Sequence, residues 1–180
     1  MKLIILDRDG VINFDSDQFI KSPQEWRPIE GSLEAIALLN QFGWRVVVAT
    51  NQSGVGRGLF DMDTLAAIHD KMHRSLAQSG GRIDAIFFCP HAADSKCACR
   101  KPKPGMLLEI ASRFNVDLAD VPVVGDSLRD LQAADAAGAQ PVLVRTGKGT
   151  RTEADPALPR GARIYDNLAA MVRALTVTAD

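Results

Sequence analysis

Five short apolar runs punctuate the chain: residues 2–6 (KLIIL), 44–50 (WRVVVAT), 83–88 (IDAIFF), 121–125 (VPVVG) and 141–146 (PVLVRT). Each is continuous rather than alternating, which predicts strands buried on both faces, as in a parallel sheet covered by helices. Between the runs the apolar period becomes helical. Residues 31–42 carry Leu33, Ile36, Ala37 and Leu39. Residues 62–79 set Leu65, Ile68, Met72 and Leu76 on one stripe and stop at Gly80-Gly81. Residues 104–115 open at Pro104 and carry Met106, Leu107, Ile110 and Phe114. Residues 127–137 carry Leu128, Leu131 and Ala134 and stop at Gly138, and 166–175 form a last short helix. Strands separated by helices predict a doubly wound, Rossmann-like α/β fold of three layers with right-handed crossovers. Residues 13–30, 89–103 and 147–165 fit neither period; the last, with Gly147, Gly149, Pro156, Pro159 and Gly161, reads as an exposed loop. With no internal repeat and no interdomain linker, a single domain over 1–180 is expected.

Composition narrows the classes. The 180 residues are 46% hydrophobic and 24% charged, too apolar for disorder. No apolar stretch approaches the roughly 20 residues of a membrane span, so no membrane partner is expected. Basic residues (21) and acidic residues (22) nearly balance, which removes the cationic footprint of a nucleic-acid binder. The opening MKLIIL runs straight into Asp7, Arg8 and Asp9 without a secretory apolar core, so a cytoplasmic protein is expected. The 3 cysteines all fall between 89 and 99, a clustering that a disulfide framework does not explain.

In an open α/β sheet, ligands sit beyond the carboxyl ends of the strands. There the first run gives way to Asp7-Arg8-Asp9-Gly10, the second to Thr50-Asn51-Gln52-Ser53-Gly54, and the fourth to Asp126-Ser127 with Asp130 close behind; Arg100-Lys101-Pro102 precedes the third long helix. Carboxylates gathered on one edge repel one another unless a cation sits among them, and an oxygen-only set selects a hard ion such as Mg²⁺. Lys101 and the Thr50 hydroxyl add the charge and the donor that a phosphate needs, with Arg8, Asn51 and Arg100 on the same edge as further phosphate-binding candidates. With a metal offsetting the repulsion between anions, one Asp can attack phosphorus. One such Asp alone could simply turn the chain; four polar turns on one edge argue for chemistry.

Cys89, His91, Cys97 and Cys99 follow the spacing C-x-H-x5-C-x-C. Soft and borderline ligands so close in sequence suit tetrahedral Zn²⁺, and four protein ligands leave no position for water, so the zinc is expected to be structural. The spacing is tighter than that of a nucleic-acid finger. Cys99 directly precedes Arg100 and Lys101, so an ordered loop would fix the backbone that carries both cations.

The segments LDRDGVIN, VVVATNQSG, RKPKPGM and VVGDSLRD resemble, in order, the four motifs of the haloacid dehalogenase (HAD) superfamily of phosphatases. The resemblance implies Asp7 as the phosphorylated nucleophile and Asp9 as general acid and base, its backbone carbonyl also holding Mg²⁺. It implies Thr50 and Lys101 as phosphate ligands, Asp126 as a Mg²⁺ ligand and Asp130 as its support. The zinc loop is similar to that of a superfamily branch acting on small phosphorylated metabolites. That implies a sugar bisphosphate of the heptose type, with Arg100 pairing the second phosphate, or alternatively histidinol phosphate or a broader range of phosphomonoesters. A monomer is expected. About twenty residues separate the first strand from the first helix, too few for a large cap domain. From another class, a non-catalytic zinc-stabilised binding module is opposed by the complete set of Asp7, Asp9, Thr50, Lys101 and Asp126.

Other features carry less. His69 and His73 share a helix face, but Asp70 stands where a zinc protease has Glu, so both read as a solvated helix flank. Gly54, Gly56 and Gly58 lack dinucleotide-binding spacing and suit a tight turn whose N–H groups approach phosphate. Arg57 among them meets either substrate or solvent. TGKG at 146–149 lacks phosphate-loop spacing and reads as a loop. Trp26 and Trp44 read as packing groups.

Overall fold

A computed structural model describes residues 1–177. Six strands form one wholly parallel sheet: β1 (Leu3–Leu6), β2 (Arg45–Asn51), β3 (Ala85–Cys89), β4 (Pro122–Gly125), β5 (Gln140–Val144) and β6 (Arg163–Tyr165). Their spatial order is β3-β2-β1-β4-β5-β6. The helices are α1 (Ser32–Gln41), α2 (Ser53–Gly56), α3 (Met62–Gln78), α4 (Gly105–Phe114), α5 (Leu128–Ala136), α6 (Gly149–Glu153) and α7 (Leu168–Val177).

Alternation along β1 separates the two cores. Ile4 and Leu6 pack into one apolar cluster with Ile36 and Leu39 of α1, Ile68 and Met72 of α3, and Met171 and Val172 of α7. Leu3 and Ile5 pack into the other, with Leu107 and Ile110 of α4 and Ala133 and Ala134 of α5. Both faces of β1 are therefore buried, as its unbroken apolar run requires. The doubly wound, three-layer fold expected from the pattern is the one observed.

Strand order reverses between β1 and β4, which are hydrogen-bonded neighbours with Leu6 opposite Val124. The crevice outside the carboxyl ends of these strands is the topological switch point where such sheets bind ligands. Asp7 and Asp126 each stand one residue beyond the strand on either side of it.

The exposed-loop expectation for 147–165 needs correction, because the segment contains α6 and the sixth strand. Three-residue β6 has an exposed Arg163 and pairs only with β5, so it lacks the apolar run that marked the central strands. The glycine turn after β2 winds into the four-residue α2. Between β1 and α1 lies one short 3₁₀ turn, Pro23–Glu25, and no cap-sized module among the described residues. The Cys/His loop connects β3 to α4.

Candidate active site

The register that aligns Leu6 with Val124 brings the next residues side by side, and the Asp7 N–H donates to the Val124 carbonyl at 2.9 Å. Carboxylate oxygens of Asp7, Asp126 and Asp130 then lie within 4.8 Å of one another. Asp130 reaches this point from the first turn of α5, where it and Ser127 cap the helix reciprocally; the Ser127 hydroxyl donates to Asp130 at 2.8 Å. Asp126 sits in a glycine cradle. A Cβ at either Gly10 or Gly147 would stand 2.1 Å from Asp126 Oδ2, and both glycines have positive φ. The Lys148 N–H donates to the same oxygen at 2.8 Å.

Lys101 is 3% exposed, and its ammonium meets three oxygens: Asp130 at 2.7 Å, the Ala49 carbonyl at 2.7 Å and Asp7 at 3.1 Å. The Asn51 side chain clamps the Lys101 backbone from both sides, donating to its carbonyl at 3.0 Å and accepting from its N–H at 3.1 Å. Asn51 therefore positions Lys101, and it also lines the cavity.

One cation among three carboxylates leaves negative charge uncompensated. Burial, then the Asp130 charge, pushes the Asp7 carboxyl up to about 7, against the pull of Lys101. Burial, then Asp130 and Asp7, pushes Asp126 up to about 8. Asp130 is itself held below the usual range: burial opposes its charge, but Lys101 and the Ser127 donors outweigh it. Lys101 stays charged well above its ordinary range, because Asp130 and Asp7 overcome its burial. An oxygen-only cluster with surplus negative charge fits a hard divalent cation such as Mg²⁺.

Asp9 borders the same cavity with a carboxylate that accepts four hydrogen bonds: Arg8 Nε at 2.9 Å, Asn13 Nδ2 at 2.9 Å, Gln52 Nε2 at 3.1 Å and Arg8 Nη2 at 3.2 Å. These donors, the Arg8 charge foremost, hold its carboxyl below the usual range despite burial. The cavity has a volume of about 230 Å³. Its cationic lining is Arg57, Arg100, Arg129 and Lys148, and Asp15, Ser16, Asp17 and Phe19 of the β1–α1 segment line it as well. Lys148 Nζ pairs with Asp15 at 3.0 Å, and the Arg57 guanidinium lies 5.7 Å from the centre of the Phe19 ring. Phe19 has φ +66°, a left-handed backbone that a bulky side chain adopts only under constraint from its surroundings.

The second cluster lies at the end of β3. His91 Nδ1 stands 3.4 Å from Cys89 Sγ and 3.3 Å from Cys99 Sγ, and Cys89 Sγ stands 3.7 Å from Cys97 Sγ. Metal bonds of zinc length set tetrahedral edges of about 3.8 Å between sulfurs and about 3.6 Å between sulfur and nitrogen. The three separations fit such an ion, and all four ligand atoms lie within 4.8 Å of one another.

Over 175 residues, 97% of this chain and 98% of the relative, the sequence is 65% identical to D-glycero-beta-D-manno-heptose-1,7-bisphosphate 7-phosphatase of Bordetella bronchiseptica. A HAD-hydrolase-like family profile matches residues 98–171. The chain belongs to the HAD family of phosphatases. The enzyme of the same name from Pseudomonas aeruginosa is 55% identical, over 96% of this chain and 97% of its own. Among solved structures, the B. bronchiseptica D,D-heptose 1,7-bisphosphate phosphatase complexed with magnesium and phosphate superimposes with a TM-score of 0.98 at 64% identity, covering 99% of this chain and 100% of that one. The Burkholderia thailandensis D,D-heptose 1,7-bisphosphate phosphatase gives 0.79 at 54% identity, with 100% of each chain covered.

Of the residues picked out by the HAD motifs, Asp7, Asp9, Asn51, Lys101, Asp126 and Asp130 line one cavity, together with Arg57 and Arg100. Two others stand elsewhere. Thr50 is 1% exposed behind the cavity, its hydroxyl accepting from Gln52 Nε2 at 3.0 Å. Arg8 is fully buried, its guanidinium on Asp9 and His69 and not on the cavity wall. The solvated-flank reading of His69 is wrong as well: His69 is 8% exposed and lies 3.1 Å from Arg8 Nη1, whereas His73 is exposed as expected. Trp26 is a packing group, fully buried. Sequence reasoning passed over Lys148, Arg129, Gln52 and the 15–19 segment. Lys148 follows β5 and Arg129 opens α5, so position at the carboxyl edge was the available signal; nothing comparable marked 15–19.

Proposed function

We propose that the chain is a Mg²⁺-dependent phosphatase that removes the C7 phosphate of D-glycero-D-manno-heptose 1,7-bisphosphate, in the synthesis of lipopolysaccharide heptose precursors. The observation that carries the chemistry is the meeting of Asp7, Asp126 and Lys101 at the β1/β4 switch point, with Asp9 on the same cavity. The substrate assignment rests on relatives of 65% and 55% identity that carry this activity in their names. Arg57, Arg100 and Arg129 support it. All three line the cavity, burial and the neighbouring Arg129 and Arg57 charges lower the Arg100 pKa, and none of the three forms an ion pair with a carboxylate among the described residues. A second phosphate would relieve that repulsion.

Asp7, Asp126 and the Asp9 backbone carbonyl would hold the Mg²⁺, which supplies charge neutralisation at the phosphoryl oxygens. A carboxylate oxygen of Asp7 bonds to phosphorus as the bond from phosphorus to the C7 oxygen breaks. Asp9, held ionised by Arg8, Asn13 and Gln52 until the anionic phosphate stands beside it, takes up a proton there and gives it to the departing alkoxide. It then takes a proton from a water whose oxygen attacks the aspartyl phosphate, releasing inorganic phosphate and restoring Asp7. Lys101 binds the transferring group, and the Thr50 hydroxyl, behind the cavity wall, accepts from Gln52 and keeps its own proton to donate toward the site. Asp130 holds Lys101. Cys89, His91, Cys97 and Cys99 would hold a structural Zn²⁺ that orders the loop leading into Arg100 and Lys101.

One chain forms a single domain and supplies every residue of the site, so a monomer suffices. A reducing cytoplasm suits the free thiols of the zinc loop. No helix among the described residues is long and apolar enough to cross a membrane. The test is phosphate release with Mg²⁺ from heptose 1,7-bisphosphate, fructose 1,6-bisphosphate and histidinol phosphate. We expect the heptose ester to have the highest kcat/KM; preference for histidinol phosphate would overturn the substrate assignment.

A further inference from the structure

The mechanism does not use two buried polar side chains beneath Asp9. Arg8 has no solvent exposure, and its polar side-chain partners are Asp9 and His69. Its Nε and Nη2 form a two-pronged fork on the Asp9 carboxylate, and Nη1, the remaining arm, meets His69 Nε2 at 3.1 Å. A guanidinium has donors and no acceptor, so His69 Nε2 must be the unprotonated nitrogen and accept that bond. The imidazole is thus a neutral acceptor. His69 comes from α3, packed beside the Phe88 ring of β3, with ring centres 6.4 Å apart, so the acceptor is fixed by elements remote in sequence from Asp9.

Resting on the phosphatase reading above, we propose that His69 is a positioning residue for the general acid: by accepting from Arg8 Nη1 it fixes the plane of the guanidinium, and so the direction in which Asp9 presents its carboxyl to the leaving oxygen. A guanidinium is planar and rigid, so anchoring one arm sets the other two. Without the anchor, Arg8 still neutralises Asp9 but can tilt about its own stem, carrying the Asp9 carboxyl with it. Asn13 and Gln52 each place one further bond on that carboxyl, one on each oxygen, while the two-pronged contact comes from Arg8 alone. Burial and the Arg8 charge push the His69 pKa down to about 3, which keeps the acceptor available throughout the working range.

A role confined to proton delivery predicts dependence on the leaving group. The heptose alkoxide needs a proton as it departs; p-nitrophenolate does not. We therefore expect His69→Leu to lower kcat/KM for heptose 1,7-bisphosphate by roughly 30-fold or more, and that for p-nitrophenyl phosphate by less than about 3-fold. His69→Gln places an amide oxygen near the lost Nε2 and should recover most of the heptose activity. Arg8→Lys keeps the buried charge but loses the fork, and should repeat the selective loss even if His69→Leu folds poorly by thermal unfolding. An equal fall on both esters, an unchanged heptose rate in His69→Leu, or His69→Gln no better than His69→Leu would each overturn the positioning role. If the wild-type protein releases no phosphate from either ester with Mg²⁺, the phosphatase reading itself fails, a result distinct from the others.

Discussion

The two ligand clusters of this chain are built in opposite ways. The sulfur and nitrogen ligands at 89–99 are close in sequence, and one loop brings them together at tetrahedral spacings. The carboxylates of Asp7, Asp126 and Asp130 come from two distant segments and meet only because β1 and β4 are adjacent in the sheet. A local cluster needs the metal to order its own loop, since little else in a short connection resists chain entropy. A cluster at a switch point is ordered by the sheet before any ion arrives, so its surplus negative charge is available to bind a cation. On the proposed reading, the loop serves stability and placement, and the sheet edge serves chemistry.

The largest break in this contrast should come from Asp7→Asn, which removes the proposed nucleophile and leaves the sheet intact. Loss of at least about 10⁴-fold in kcat is expected, with an unchanged far-UV spectrum and an unchanged zinc content. Cys97→Ser should act the other way round. Zinc stoichiometry falls, KM for the bisphosphate rises on the order of ten-fold as Arg100 and Lys101 lose their fixed backbone, and Mg²⁺ affinity stays close to wild type. Intact kinetics in zinc-free Cys97→Ser would show that the two clusters are uncoupled.

A smaller effect is expected from Gly10→Ala. The added Cβ meets Asp126 at a backbone with φ +82°, so a stability loss of about 1–3 kcal/mol and weaker Mg²⁺ binding should appear together in unfolding and metal titrations. The mildest prediction concerns pH. Folding raises the Asp7 and Asp126 pKa values from 3.8 to about 7 and about 8, so between these limits the folded state holds more protons than the unfolded chain. Their protonation supports the fold below about pH 4, and that support is lost as pH rises toward 8. In chelator the unfolding midpoint should decline from pH 5 to pH 8, and Mg²⁺ should recover most of the loss at pH 8. A chelator-treated midpoint flat across that range would argue against an electrostatically strained carboxylate cluster.

Much of this architecture was legible in the chain because burial on both faces writes itself as unbroken apolar runs, and the five strands so marked all exist. The strand that escaped, β6, is short and has an exposed Arg163. Lys148, in a segment readable only as a loop, proved to be both the donor that holds Asp126 and the partner of Asp15. Arg8 shows the opposite error: its charge beside Asp7 suggested a phosphate contact, but its guanidinium is turned beneath the site.

The chain alone determined which residues could do chemistry, because residue type and position after a strand are local properties. It marked the four candidate zinc ligands as well, since a short loop leaves few ways to arrange them. Only the folded structure decided which way each side chain faces. That choice depends on partners such as His69 on α3 and Lys148 beyond β5, which reach the site through packing across the sheet and leave no spacing in the sequence to read.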